Sequence, residues 1–239
     1  MLDKEAIFFD LDGTLLPIDM DYFLEVYFKL ITEEFSDIKD EDEFIKILMS
    51  STKKMIKNDG RRSNEDVFKN AFFSMIDVEN EDEIMKRFDK FYEEKYPSLK
   101  EKFELKSKSP DLIDLLKNRD LKLVIATNPL FPKKAIIERI NWAGIDADIF
   151  DFISCYEEMH YSKPNPKFYK EIIDKLDLEA ENCVMIGNDH KEDMIAKKVG
   201  MEGYLIEDYL IESEEEAPEP DWQGTMSELI EKINKISVD

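Results

Sequence analysis

Short apolar runs alternate with amphipathic stretches over much of this chain. Runs rich in β-branched and aromatic residues occur at residues 6–9, 121–126, 152–154, 183–186 and 203–206. Runs of this length and composition are typical of buried parallel strands. Apolar residues three and four positions apart predict helices at residues 111–118, 133–140, 166–176, 193–199 and 226–236. This alternation predicts an α/β fold built on a doubly wound, Rossmann-like parallel sheet.

One long segment interrupts the alternation. It contains four helical patterns and no convincing strand, and the patterns cover residues 22–35, 41–56, 64–76 and 81–96. Because the segment falls between the first and second strands, we predict an all-helical cap inserted into the sheet domain. The expected division is a core domain of residues 1–17 and 107–239 and a cap domain of residues 18–106, with Pro97 ending the last cap helix.

Composition narrows the choice of partners and compartment. The chain has 239 residues, a hydrophobic share of 43% and a net charge of −23, which disfavours nucleic acid and anionic membrane partners. Cys155 and Cys183 lack the spacing of a metal or disulfide motif, which is typical of a reducing compartment. The apolar run near the N-terminus is too short for a secretion signal or a membrane span. We therefore expect a cytoplasmic protein, and the oligomeric state stays open.

The most informative residues follow the first apolar run. The string Phe-Asp-Leu-Asp-Gly-Thr-Leu begins at Phe9 and includes Asp10, Asp12 and Gly13. In an open α/β sheet, ligands bind outside the carboxyl ends of the strands. Two carboxylates one residue apart, followed by a glycine that lets the chain turn, can face a single site at that edge.

This string resembles the first motif of the haloacid dehalogenase superfamily, usually written DxDGT. Later strand ends are similar to the other motifs of that family, in the same order along the chain. The resemblance implies that Asp10 is a nucleophile that becomes an aspartyl phosphate. It also implies that Asp12 is the general acid and base. Thr127, Asn128 and Lys163 would bind the transferred phosphoryl group.

The resemblance further implies a magnesium ion held by Asp10, Asp12 and a residue after the fourth apolar run. Alignment on the glycine there places Asn188 at the ligand position, whereas alignment on the acids selects Asp189 with Asp193 in support. We favour Asp189 and keep Asn188 as the alternative, because an amide oxygen also binds magnesium. A cation is needed because a carboxylate and a phosphate repel each other by about 4 kcal/mol per charge pair at an effective dielectric of about 20.

The activity implied by the resemblance is magnesium-dependent hydrolysis of a small phosphorylated metabolite, in the subclass with one helical cap. Asp12 disfavours a haloacid dehalogenase, since a halide leaving group needs no proton. Within the cap, Arg61 and Arg62 belong to a basic cluster that we expect to contact an anionic part of the substrate. Two alternatives remain: a phosphosugar mutase of the same fold, and a binding protein on an inactive scaffold.

Overall fold

A single parallel sheet organises the computed structural model, which describes residues 3–236. Its strands are β1 (Ala6–Phe9), β2 (Lys122–Ile125), β3 (Phe152–Ile153), β4 (Cys183–Gly187), β5 (Glu202–Ile206) and β6 (Trp222–Gly224). Their order is β3-β2-β1-β4-β5-β6, and every neighbouring pair is parallel. The predicted doubly wound α/β fold is confirmed. The strand order reverses beside β1, and ligands bind at this point in open α/β sheets.

The helices follow the predicted apolar periodicity, with changes at their ends. They are α1 (Met20–Glu34), α2 (Glu41–Ile56), α3 (Asn64–Phe73), α4 (Glu81–Lys90), α5 (Ser109–Leu116), α6 (Lys133–Trp142), α7 (Pro166–Leu176) and α8 (Met226–Ile236). The segment Met194–Val199, predicted as an ordinary helix, is a 3-10 helix that ends at Gly200 with a φ of 103°. A positive φ of this kind favours glycine, which has no Cβ to clash.

The region between β1 and β2 is helical, as predicted. Side chains of Asp19, Asp40, Ser63 and Asn80 accept hydrogen bonds from backbone amides in the first turns of α1 to α4. The predicted last helix is divided: α4 passes into a π-helical turn, Phe91–Lys95, and a 3-10 helix, Tyr96–Lys102. Pro97 therefore does not end the helical path. It lies in the first turn of the 3-10 helix, where a proline costs no hydrogen bond.

A continuous apolar cluster joins the helices between β1 and β2, which form the predicted cap, to one face of the sheet. It includes Phe9 of β1, Phe23 and Tyr27 of α1, and Ile136 of α6. The predicted domain boundaries stay a prediction, and the first two and last three residues of the predicted core domain lie outside the described range. Within residues 3–236, no helix combines the length and apolar character needed to cross a membrane.

Candidate active site

Strand register brings the predicted site residues to one edge of the sheet. Phe9 is level with Ile125 of β2 and with Ile186 of β4. The amide of Asp10 donates to the Ile186 carbonyl at 2.9 Å, and the Ala126 amide donates to the Phe9 carbonyl at 2.7 Å. The residues that follow these three central strands therefore leave the sheet side by side.

A buried ionic cluster lies at this edge. Lys163 Nζ is 2.9 Å from Asp10 Oδ1 and 2.5 Å from Asp193 Oδ1, and the lysine is 1% exposed. Burial raises the pKa of Asp10 to about 8, although the charge of Lys163 opposes the rise. Burial alone would lower the pKa of Lys163, but the two carboxylates outweigh it and hold that pKa well above its usual value. The cluster thus places a cation beside Asp10, where it offsets the negative charge of that carboxylate.

Two glycines allow the close approaches around this cluster. Gly13 has a φ of 82°, and a Cβ there would overlap the side chain of Asn188. At Gly187, a Cβ would overlap the carboxylate of Asp193. Only residues without a Cβ let Asn188 and Asp193 pack this tightly against the ends of β1 and β4.

Asn188, and not Asp189, lies next to Asp10. Thr14 Oγ1 donates to Asn188 Oδ1 at 2.9 Å and lies 3.4 Å from Asp10 Oδ2. Asn188 Nδ2 donates to the carbonyl of Tyr209 at 2.6 Å, which fixes the amide oxygen towards Thr14. Asp189 Oδ1 instead accepts hydrogen bonds from two backbone amides of its own loop, each at 2.8 Å.

The oxygens of Asp10 and Asn188 fit a magnesium ion, although they do not form a full set of protein ligands. Within residues 3–236, no group of three or more His, Cys, Asp or Glu side chains is placed to hold a metal. Asp10 Oδ2 and Asn188 Oδ1 nevertheless provide two hard oxygens around one hydroxyl group. Magnesium is commonly bound by one or two carboxylates together with water and substrate phosphate, so this donor set suits it.

Asp12 faces a partner that the sequence did not reveal. Its Oδ1 lies 3.4 Å from Nε of Arg139, a residue of α6 that is 1% exposed. Burial raises the pKa of Asp12, while the charges of Arg139 and Lys163 oppose the rise. One signal was available in the sequence: Arg139 falls three residues after Ile136 and directly before Ile140, on the apolar side of a predicted helix.

The other residues predicted to bind phosphate follow β2. Thr127 is buried, and its carbonyl accepts a hydrogen bond from Ser154 Oγ at 2.7 Å. Asn128 Nδ2 donates to Glu192 Oε2 at 3.0 Å, whereas Asn128 Oδ1 is buried without a partner. Glu192 is a second residue that sequence reasoning missed, and it links the β2 loop to the β4 loop.

Arg61 and Arg62 lie on the surface of the cap. Both side chains are exposed, and Arg61 pairs with Asp59 at 3.1 Å. The structure does not bring either guanidinium into the Asp10 cluster. Their turn is nevertheless attached to the loop before Lys163, because the buried Asn64 donates from Nδ2 to Ser162 Oγ at 3.2 Å.

Residues 4–200 match the family model described as haloacid dehalogenase-like hydrolase. The match covers most of the chain and includes the strand ends that carry the site, so the chain belongs to this family of hydrolases. The resemblance given by the four motifs is therefore confirmed, and the chain is an enzyme of the hydrolase class.

Two curated relatives and one solved structure illustrate the similarity. The glyceraldehyde 3-phosphate phosphatase of Methanothermobacter thermautotrophicus is 29% identical over 126 residues, which span 52% of this chain and 53% of that relative. The phosphorylated carbohydrates phosphatase of Thermotoga maritima is 24% identical over 211 residues, or 83% of this chain and 82% of the relative. YfnB of Bacillus subtilis, in a structure bound to magnesium, shares the fold with a TM-score of 0.58 and 17% identity, covering 97% and 99% of the chains.

Proposed function

We propose that this protein is a magnesium-dependent phosphatase that hydrolyses a small phosphate monoester. The observation that carries the proposal is the buried carboxylate of Asp10, held by Lys163 at the carboxyl edge of the sheet with Asp12 two residues further along. Both curated relatives are named as phosphatases, which supports the same reaction class.

The reaction then proceeds in two displacements. An oxygen of Asp10 attacks the phosphorus, the bond from phosphorus to the leaving oxygen breaks, and Asp12 donates a proton to that oxygen. Asp12 next accepts a proton from a water molecule that attacks the phosphorus, and the bond between Asp10 and phosphorus breaks. Lys163 keeps its positive charge throughout and offsets the negative charge of Asp10 and the phosphoryl group.

Asp10, Asp12 and Asn188 would hold the magnesium ion, with Asp193 in support and Asp189 as the other candidate ligand. When bound, the ion supplies positive charge to the phosphoryl oxygens and orients them towards the nucleophile. Thr127 and Asn128 would bind the phosphoryl group from the β2 side.

The proposal extends to the class of substrate. The names of the two relatives favour a small phosphorylated carbohydrate or a similar metabolite as substrate. We keep Arg61 and Arg62 as the residues that contact an anionic part of the substrate, since their turn is attached to the loop before Lys163. A cytoplasmic location also stays part of the proposal, and the two free, buried cysteines are compatible with it.

The direct test is phosphate release from a panel of phosphorylated metabolites and para-nitrophenyl phosphate, with and without magnesium. Asp10→Asn should remove the magnesium-dependent release. Asp114→Asn is the matched control, because Asp114 is exposed and pairs only with Lys117 at the surface in the described structure. Turnover by Asp10→Asn at the rate of the control would exclude Asp10 as nucleophile. Isomerised product without phosphate release would indicate a mutase.

A further inference from the structure

Arg139 carries a buried positive charge whose only carboxylate partner in the described structure is Asp12. The guanidinium is 1% exposed, its Nε lies 3.4 Å from Asp12 Oδ1, and its Nη1 donates to the hydroxyl of Tyr96 at 3.2 Å. A buried charge is costly unless an opposite charge compensates it. A helix that only needed to pack against the sheet would place an apolar residue at this position.

Aromatic rings fix the guanidinium in place. Its central carbon lies 4.4 Å from the ring centre of Phe131 and 5.4 Å from that of Phe23. Such stacking leaves a planar guanidinium little freedom to rotate, and it stabilises the cation. Phe131 follows the Thr127 loop, whereas Phe23 and Tyr96 belong to the predicted cap, so Arg139 lies where the cap meets the sheet.

The two oxygens of the Asp12 carboxylate are therefore not equivalent. Oδ1 is buried beside Arg139 and accepts no hydrogen bond, whereas the Asp12 side chain as a whole keeps 11% of its surface exposed. We propose that Arg139 is the positioning residue for Asp12: it holds Oδ1 and leaves Oδ2 directed at the leaving oxygen of the substrate. This inference rests on the proposed phosphatase activity, in which Asp12 Oδ2 donates its proton as the bond from phosphorus to that oxygen breaks.

The role predicts a specific dependence on the leaving group. A poor leaving group needs a well-placed proton donor, whereas a dinitrophenolate leaves without one. The ratio kcat/KM reports the steps up to the aspartyl phosphate and excludes its later hydrolysis. We expect Arg139→Met to lower kcat/KM for phenyl phosphate by about 10- to 100-fold and for dinitrophenyl phosphate by less than about threefold, because only the first ester depends on general acid catalysis.

Two further variants separate positioning from a loss of structure. Arg139→Lys keeps the charge and should recover part of the rate with phenyl phosphate. Arg87→Met is the matched control, since Arg87 also stacks on a phenylalanine and pairs with carboxylates, but lies in the cap. It should leave the ratio of the two rates as in the wild type. An equal loss on both esters with Arg139→Met, or no loss, would overturn the proposal.

A second measurement does not require activity. Unfolding midpoints of Arg139→Met, Asp12→Leu and the double variant form a cycle that measures the coupling of the two side chains. We expect the double variant to lose less stability than the two single variants lose together, because each single change leaves one buried charge without its partner. Additive losses would overturn the proposal even if the wild type releases no phosphate. If the cycle shows coupling but the wild type releases no phosphate, the proposed function is contradicted and the pairing of Arg139 with Asp12 stands.

Discussion

The sheet edge and the cap both contain ion pairs, but in opposite settings. Lys163 is 1% exposed between Asp10 and Asp193, whereas Arg87 in the cap is 28% exposed and its partner Asp37 is 65% exposed. The cap is held instead by aromatic packing, with ring centres of Phe35 and Phe88 only 4.4 Å apart. Charge is buried at the sheet edge, whereas the ion pairs of the cap are partly exposed to water, where each pair contributes little.

The largest expected effect comes from removing the buried cation. Lys163→Met leaves the carboxylates of Asp10 and Asp193 buried without their cation, and we expect it to lower the free energy of unfolding by about 3–5 kcal/mol. Lys134→Met is the matched control, because Lys134 is 32% exposed and its partners Asp89 and Glu93 are more exposed still. It should cost less than about 1 kcal/mol. Denaturant unfolding of both variants measures these losses. Equal losses of unfolding free energy would contradict the contrast between the two regions.

A smaller effect tests how the sheet edge holds a cation. Asn188→Ala removes the amide oxygen that lies beside Thr14 and Asp10, and we expect the magnesium concentration for half-maximal activity to rise about tenfold or more. Asp189→Ala removes hydrogen bonds within its loop and should change that requirement less. Titration of activity with magnesium distinguishes the two. The opposite ranking would support Asp189, the ligand favoured from the sequence.

The smallest effect concerns the exposed charges of the cap. A hydrogen bond from Lys95 lowers the pKa of Glu34 below its usual 4.5, and a hydrogen bond from Arg87 lowers the pKa of Asp37 below its usual 3.8. A lowered pKa stabilises the folded state at pH values above the usual pKa of the group. This stabilisation is lost as the pH falls through the lowered pKa.

Arg87→Met should therefore cost less than about 1 kcal/mol near neutral pH, because the pairs are partly solvated. The difference from the wild type should shrink as the pH falls below about 4, where the carboxylates of the unfolded chain become protonated. Unfolding midpoints at a series of pH values provide the measurement. A difference that grows towards low pH would contradict this account of the cap.

Local patterns in the sequence predicted most of the sheet and helices. Five of the strands are apolar runs, and the helices of the cap follow their apolar spacing. Strand β6 was missed because Trp222–Gly224 has only three residues and follows a polar, proline-containing stretch. The break after Lys90 was also missed, since apolar residues three and four apart continue through it at Phe88, Phe91 or Tyr92, and Tyr96.

The residues of the candidate site could be proposed from the sequence because they follow strand ends in a fixed order. Which of two neighbours faces the site was not readable. Asn188 and Asp189 are adjacent, and the path of the loop directs one towards Thr14 and the other towards its own backbone. Arg139 was missed because no motif carries it, and its partner Asp12 is far away in the chain.

Sequence alone therefore determined the order in which the candidate site residues follow the strands along the chain. It also determined the helical insertion and the types of side chain at the candidate site, since these depend on local periodicity and on residues at strand ends. Tertiary structure decided which groups touch. The parallel register of β1, β2 and β4 sets Asp10, Thr127 and Asn188 side by side. Burial then raises the pKa values of Asp10 and Asp12, because removing a carboxylate from water disfavours its charged form, and only contacts between distant segments can bury it.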